Sequence, residues 1–321
     1  MEELPVKDRI ARYRQTALKA VQYQIRHQLP DGGYIWDGYA KDAYHKQAYS
    51  WSMSGYFPEA HRLLNWVKAN TLASNGELKD YNGDTYKHAW FLQGAHRLGR
   101  FDLSMPVMSY LAGSQKRCGG WIELHKDEFV LSRSTAWPGV AAIYAGRMDV
   151  AEKAAQCCIS FIEQQVAKDR FYFTMTQDGK LVTTNNETCI NVDKQKQWYW
   201  EVALPMMLML RMYQATAEKR YLDYAERCFA FLLLCADDKF SFIGSGKSSL
   251  ASALYYLITD DKRARDAACE FCEFLVETQT PEGGWRDPEF GEPDEPLIYI
   301  DHAAEYGVWL QEVSSLLLSK R

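Results

Sequence analysis

The sequence predicts an all-α fold, six helical hairpins closed into a ring as one (α/α)6 toroid spanning residues 1–321. Three observations predict it. Helical stretches alternate with Gly-rich loops at a period of roughly 50 residues. The two helices of each hairpin differ in kind: the first is amphipathic, the second apolar nearly all round and therefore buried. The connections also alternate, short after each second helix and long after each first.

The hairpins read in order. The first runs from DRIARYRQTALKAVQYQIRHQ through LPDGGYIWDGYAKD to AYHKQAYSWSMSG. The second joins PEAHRLLNWVKANTLA to TYKHAWFLQGAHRLG, and the third joins DLSMPVMSYLAGSQ to SRSTAWPGVAAIYAG. The fourth opens at MDVAEKAAQCCISFIEQQ and closes on QWYWEVALPMMLMLRMYQAT. The fifth pairs KRYLDYAERCFAFLLLCADD with KSSLASALYYLITD, and the sixth pairs KRARDAACEFCEFLVETQ with DHAAEYGVWLQEVSSLLLS. Leu63, Leu64, Trp66 and Val67 show the three-to-four spacing of an outer helix, and ALPMMLMLRMY the uniform apolarity of an inner one. SGYFPE, LGRFD, AGRMD, TAEKR and TDDKR are the short closures. The long loops carry Trp, Tyr, His, Asp and Glu, and all fall at the end of the ring where inner helices begin. Long loops on a rigid scaffold are where function concentrates, so that mouth is the expected site.

Composition narrows the class. A net charge of -5 offers no basic surface for nucleic acid. No apolar run approaches the roughly 20 residues of a membrane span, and MEELPVKDRIARYRQ lacks the apolar core of a signal peptide. Eight cysteines without disulfide-like spacing read as thiols of a reducing cytoplasm. Oligomeric state leaves no mark on the sequence.

Three loops share one pattern: Gln28-Leu29-Pro30-Asp31-Gly32-Gly33-Tyr34, Gln115-Lys116-Arg117-Cys118-Gly119-Gly120-Trp121 and Gln279-Thr280-Pro281-Glu282-Gly283-Gly284-Trp285. The second loop has a degenerate form, Asn75-Gly76-Glu77-Leu78. This resembles the QW repeat of the terpenoid-cyclase and protein-prenyltransferase toroid superfamily, which includes squalene–hopene cyclases. The resemblance implies a toroid whose QW residues fasten outer helices and take no part in catalysis. The residues themselves read the same way. A Gln amide can satisfy carbonyls at a helix end, paired glycines permit positive φ, and the aromatic covers the end.

The superfamily's chemistry is not spelled out. An Asp-x-Asp-Asp acid motif is absent, and Thr259-Asp260-Asp261 lies in a short closure. Cys189, Asp193, Asp301 and His302 have metal-ligand types without metal-ligand spacing, and no metal or cofactor is expected. Cys269-Glu270-Phe271-Cys272 falls within an outer helix and reads as core. Gly244-Ser245-Gly246-Lys247-Ser248 lacks the first glycine and the strand of a phosphate loop.

Candidate residues are polar side chains that open the otherwise apolar inner helices. They are Tyr44, His45 and Lys46; Tyr86, Lys87 and His88; Ser134 and Trp137; Trp198, Tyr199 and Glu201; Lys247; and Asp301, His302, Glu305 and Tyr306. The loops add Trp36, Asp37, Asp80, Tyr81, Asp84, Trp121, Glu123, His125, Trp285 and Asp287. Asp301 and His302 are the expected acid–base residues, with His45, His88 and Glu201 as further catalytic candidates. A helix starting at Asp301 would favour an ionised Asp301 and a neutral His302. Tyr44, Lys46, Tyr86, Trp36, His125, Trp137, Trp198, Glu305 and Tyr306 are expected to hold substrate. The leading expectation is a cofactor-independent cyclase, isomerase or lyase acting on a lipophilic small molecule. The alternatives are a six-hairpin carbohydrate-active enzyme and a binding toroid without catalysis. A wall of Phe, Met and Tyr marks the first; Trp ringed by Asp, Glu and Arg marks the second.

Overall fold

The computed structural model describes residues 6–34, 44–81, 83–122, 129–286 and 296–320. Twelve α-helices stand among them in chain order: α1 (Val6–Arg26), α2 (Gln47–Met53), α3 (Phe57–Asn70), α4 (Thr85–Arg97), α5 (Phe101–Ser114), α6 (Ser132–Tyr144), α7 (Met148–Glu163), α8 (Trp200–Thr216), α9 (Lys219–Leu234), α10 (Gly246–Thr259), α11 (Lys262–Thr278) and α12 (Pro296–Ser319). Even-numbered helices form the inner ring. Each packs on the next, and α12 returns to α2 to close it. The odd-numbered helices lie outside.

Burial follows the apolar patterns. In α8 every residue from Glu201 to Leu210 is buried, whereas α3 buries Ala60, Leu63, Leu64 and Val67, one stripe of its surface. The bore of the ring is not hollow. Trp90 of α4, Trp137 of α6 and Trp309 of α12 meet with ring centroids 4.7, 5.2 and 6.1 Å apart. Three indoles at that spacing fill the bore as a close-packed plug.

The toroid expectation holds, with one addition. Two antiparallel ribbons occupy the long loops: β1 (Phe129–Leu131) pairs with β3 (Thr174–Thr176), and β2 (Arg170–Tyr172) with β4 (Cys189–Asn191). Three-residue strands are too short to show a readable alternation. All eight cysteines are free; Cys118 and Cys189 are only partly buried. Among the described residues no helix is long and apolar enough to cross a membrane.

The three repeated loops have one geometry. Gln28 Nε2 donates to the Gly32 carbonyl of its own turn and to Glu59 of α3 (3.0 and 3.1 Å). Gln115 does the same to Gly119 and to Val150 of α7 (2.8 and 3.1 Å), and Gln279 to Gly283 and to Thr16 of α1 (3.1 and 2.9 Å). Each Gln thus ties one outer helix to the next, and the last tie joins the final hairpin to the first. The aromatic closes the unit. Trp121 and Trp285 donate their indole N–H to Leu111 and Leu275 (2.8 and 2.9 Å), and the Tyr34 hydroxyl donates to Gln24 (3.1 Å). Gly119 is required at its place: φ is +93°, and a Cβ would stand 2.1 Å from the Lys153 carbonyl oxygen.

These ties make a stability prediction. Trp121 and Trp285 are 1% and 2% exposed. Truncating either to Ala removes a buried ring and its indole hydrogen bond, a loss of about 3–5 kcal/mol. Calorimetry should show a lower melting temperature with ligand affinity little changed. Unchanged stability with lost binding would place these rings in the site instead.

Candidate active site

A cavity of about 270 Å³ opens at the mouth of the ring where the inner helices begin. Its wall comes from the first turns of α4, α6, α8 and α10, from the second and third turns of α12, and from Lys46, which precedes α2. Tyr86, Arg133 and Glu305 line it, and one helical turn deeper on the same helices stand Trp90, Trp137 and Trp309. The tryptophan plug is therefore its floor, which keeps the cavity shallow.

The centre is a buried ion network. Lys46 Nζ lies 2.6 Å from Asp301 Oδ2 and 2.6 Å from Glu305 Oε2. Lys247 of α10 pairs with the other Glu305 oxygen, which also accepts the Trp309 indole N–H at 3.2 Å. His45 Nε2 stands 3.5 Å from Asp301 Oδ1. Lys46, Lys247 and Glu305 have side chains no more than 12% exposed. Charges this buried are costly unless paired, and the two lysines share the two carboxylates.

The network sets protonation states. Burial alone would raise the Glu305 pKa, but Lys247 and Lys46 outweigh it and hold the carboxyl well below the usual range. For Lys46, burial pulls down, and Asp301 and Glu305 pull harder the other way, so the ammonium persists. His302 is lowered to about 4, by burial first and then by Lys46, despite an opposing pull from Glu305. It lines the cavity and stacks on Tyr306, ring centroids 5.7 Å apart. At neutral pH it is an uncharged imidazole, the form that accepts a proton.

The sequence candidates separate into groups. Lys46, Tyr86, Asp301, His302, Glu305 and Tyr306 share the cavity wall. His45 is buried against Asp301 and Tyr81. Tyr44 packs between Tyr81 and Trp66, and Trp137 belongs to the plug. His88 is held by backbone at both nitrogens: Nδ1 meets the Asp84 carbonyl at 2.6 Å, and Nε2 accepts the Leu78 N–H at 2.9 Å. Glu201 is fully buried, its carboxylate taken by Ser132 Oγ, the Arg133 N–H and guanidinium, and the Trp200 indole. Trp198 lies beside Trp200, outside this cavity. Trp36 and His125 fall outside the described residues, as do Asp37, Glu123 and Asp287. Asp301 is not at a helix start, since α12 begins at Pro296. Its partner is Lys46, and the cap that α4 needs comes from Asp84, which accepts the Tyr86 and Lys87 N–H groups.

Arg133 and Trp200 are wall residues the sequence reading passed over. Their signal was available: each opens an apolar inner helix, as Lys46 and Lys247 do. Arg133 is fixed by Glu201 at 2.9 Å.

These groups predict that the fold loses stability in acid. The unfolded chain protonates a histidine near its ordinary 6.5, whereas folded His302 waits until about pH 4. Between those values the unfolded state binds the extra proton, so lowering the pH favours unfolding. His45, held down by burial and Lys46, acts in the same direction. Below the ordinary carboxylate range, loss of the Glu305 charge adds to it. The melting temperature should fall as pH drops from 6.5 toward 4, and His302→Gln should flatten that slope. A flat wild-type profile across the window would refute these protonation states.

No family model matches the chain, and no curated protein matches it in sequence. Solved structures do match its fold. The α-1,6-mannanase of Salegentibacter sp. HEL1_6 superposes with a TM-score of 0.65 at 15% identity, over 95% of this chain and 99% of that one. A D-mannose isomerase gives 0.66 at 13% identity, over 92% and 96%. A type II terpene cyclase from Scytonema, in complex with geranylgeranyl dihydroxybenzoate, gives 0.63 at 13%, over 97% and 99%. The likeness is one of fold, an α/α toroid that serves enzymes of both carbohydrate and terpenoid chemistry.

Proposed function

We propose that this chain is an enzyme that abstracts a proton from carbon beside a carbonyl or carboxylate in a small sugar-class substrate. Isomerisation, epimerisation and elimination share that step. The composition of the cavity wall carries the reading. Lys46, Lys247, Arg133, Asp301 and Glu305 supply charge, Tyr86, Trp200 and Tyr306 supply aromatic faces, and no Phe, Met, Leu, Ile or Val is among the described lining residues. Charged donors and acceptors suit hydroxyl groups, and ring faces suit the C–H side of a sugar. At about 270 Å³ the cavity sits at the small end of ligand sites.

The roles follow from the geometry. Neutral His302 is the base that takes the proton. Lys46 has three N–H donors, two of which its carboxylates occupy; the third, with Arg133, can steady the negative oxygen that develops. Asp301 holds Lys46 and His45 in place. The lipophilic reading draws support from the repeated Gln–Gly–aromatic loops and from the fold-level likeness to a terpene cyclase. A plugged bore and a charged wall weigh against a long isoprenoid chain.

The test uses mannose, glucose and glucuronate in deuterated buffer, followed by proton NMR. Solvent deuterium should enter at C2 of one of the first two or C5 of the third. His302→Gln should slow exchange about a hundredfold or more, the usual worth of a general base, and Asp301→Asn should weaken it with the fold intact. No exchange and no sugar binding, alongside stabilisation by a farnesyl or geranylgeranyl compound, would replace this reading with the lipophilic one.

A further inference from the structure

A second cavity, about 330 Å³, lies between the β2–β4 ribbon and the loop entering α8. It is separated from the first by one layer of side chains. Trp198 lines the second cavity and stacks on Trp200 of the first, with centroids 5.7 Å apart and planes 19° from parallel. The Arg133 guanidinium, on the wall of the first cavity, lies over the Trp198 ring at 5.5 Å. Phe173 extends the aromatic row, 5.6 Å from Trp198.

Two properties point to a ligand. Trp198 is 40% exposed, a large ring left open beside a polar recess. Among its described lining residues the recess also holds Arg170, Lys194 and Lys196 against one carboxylate, Glu187. Arg170 also lies 3.9 Å from Asp169, itself exposed. The rim is built in advance. Asp238 accepts the Lys196 N–H at 2.6 Å and the Tyr199 hydroxyl at 2.7 Å, and Lys196 is held at φ 56°, a conformation that a non-glycine residue adopts only under constraint.

We propose that this cavity is a second subsite, which seats an acidic sugar ring of a substrate at least two rings long. The ring stacks on Trp198, and its carboxylate or sulfate faces Arg170, Lys194 and Lys196. The inference rests on the sugar reading of the first cavity and extends it from a single ring to an acidic disaccharide unit.

Calorimetric titration tests it with three probes: glucuronate, a hyaluronan disaccharide and neutral cellobiose. The acidic disaccharide should bind wild type about tenfold or more tighter than glucuronate. Trp198→Ala should remove that advantage, the acidic disaccharide then binding no tighter than glucuronate does to the same variant. Lys194→Ala should weaken the hyaluronan disaccharide and spare cellobiose. If the advantage survives Trp198→Ala, the subsite is overturned while the sugar reading stands. If cellobiose binds as tightly as the acidic disaccharide, the acidic ring is overturned. If no saccharide binds wild type, both readings fall together.

Discussion

The ion network of Lys46, Lys247, Asp301 and Glu305 sits at the seam where the ring closes. Lys46 precedes the first inner helix, while Asp301 and Glu305 belong to the last and Lys247 to its neighbour. A toroid must join its ends; here buried charges sit at the mouth of the inner join, where α12 packs on α2, and Gln279 reaching Thr16 ties the outer one. Apolar packing could have closed the inner seam. Buried charge carries a desolvation cost that apolar side chains avoid, so its presence there needs a reason. The network supplies one: it holds Glu305 ionised and, with burial, keeps His302 neutral within one small cavity.

The tryptophan plug sets the second constraint. Trp90, Trp137 and Trp309 fill the bore one turn below the cavity wall. The aromatic residues are thus divided between the plug and the cavity walls. Indoles below the mouth fill the bore, and Tyr86, Tyr306, Trp200 and Trp198 near it line the two cavities. A shallow mouth with a lateral recess suits a substrate lying across the ring end, and a deep bore would suit one threaded through it.

The architecture was legible because its signals are local. An amphipathic helix followed by a uniformly apolar one, repeated six times, needs no distant contact to be recognised. The short β ribbons left no such trace. The site was legible only in part. Choosing residues that open inner helices found Lys46, Tyr86, Asp301, His302, Glu305 and Tyr306. The same rule also gathered His88, Tyr44 and Trp137, which face the packing, because a first turn points side chains in every direction and spacing alone does not say which points inward. Asp301 was expected to begin its helix; α12 starts earlier, and the charge that answers Asp301 comes from the other end of the chain, a pairing no sequence window contains.

The central claim is that the seam charges are there for chemistry and not to hold the ring together. The direct measurement is the quadruple variant Lys46→Met, Lys247→Met, Asp301→Leu and Glu305→Leu, compared with Lys46→Met alone. Removing Lys46 strands Asp301 and leaves Glu305 with Lys247 alone, which should cost about 3–5 kcal/mol, whereas replacing the whole network with apolar side chains of similar volume is often neutral or stabilising. The account predicts that the quadruple variant melts at or above the wild-type temperature and binds no sugar. A quadruple variant that unfolds like the single one, or that keeps wild-type sugar affinity, would contradict it.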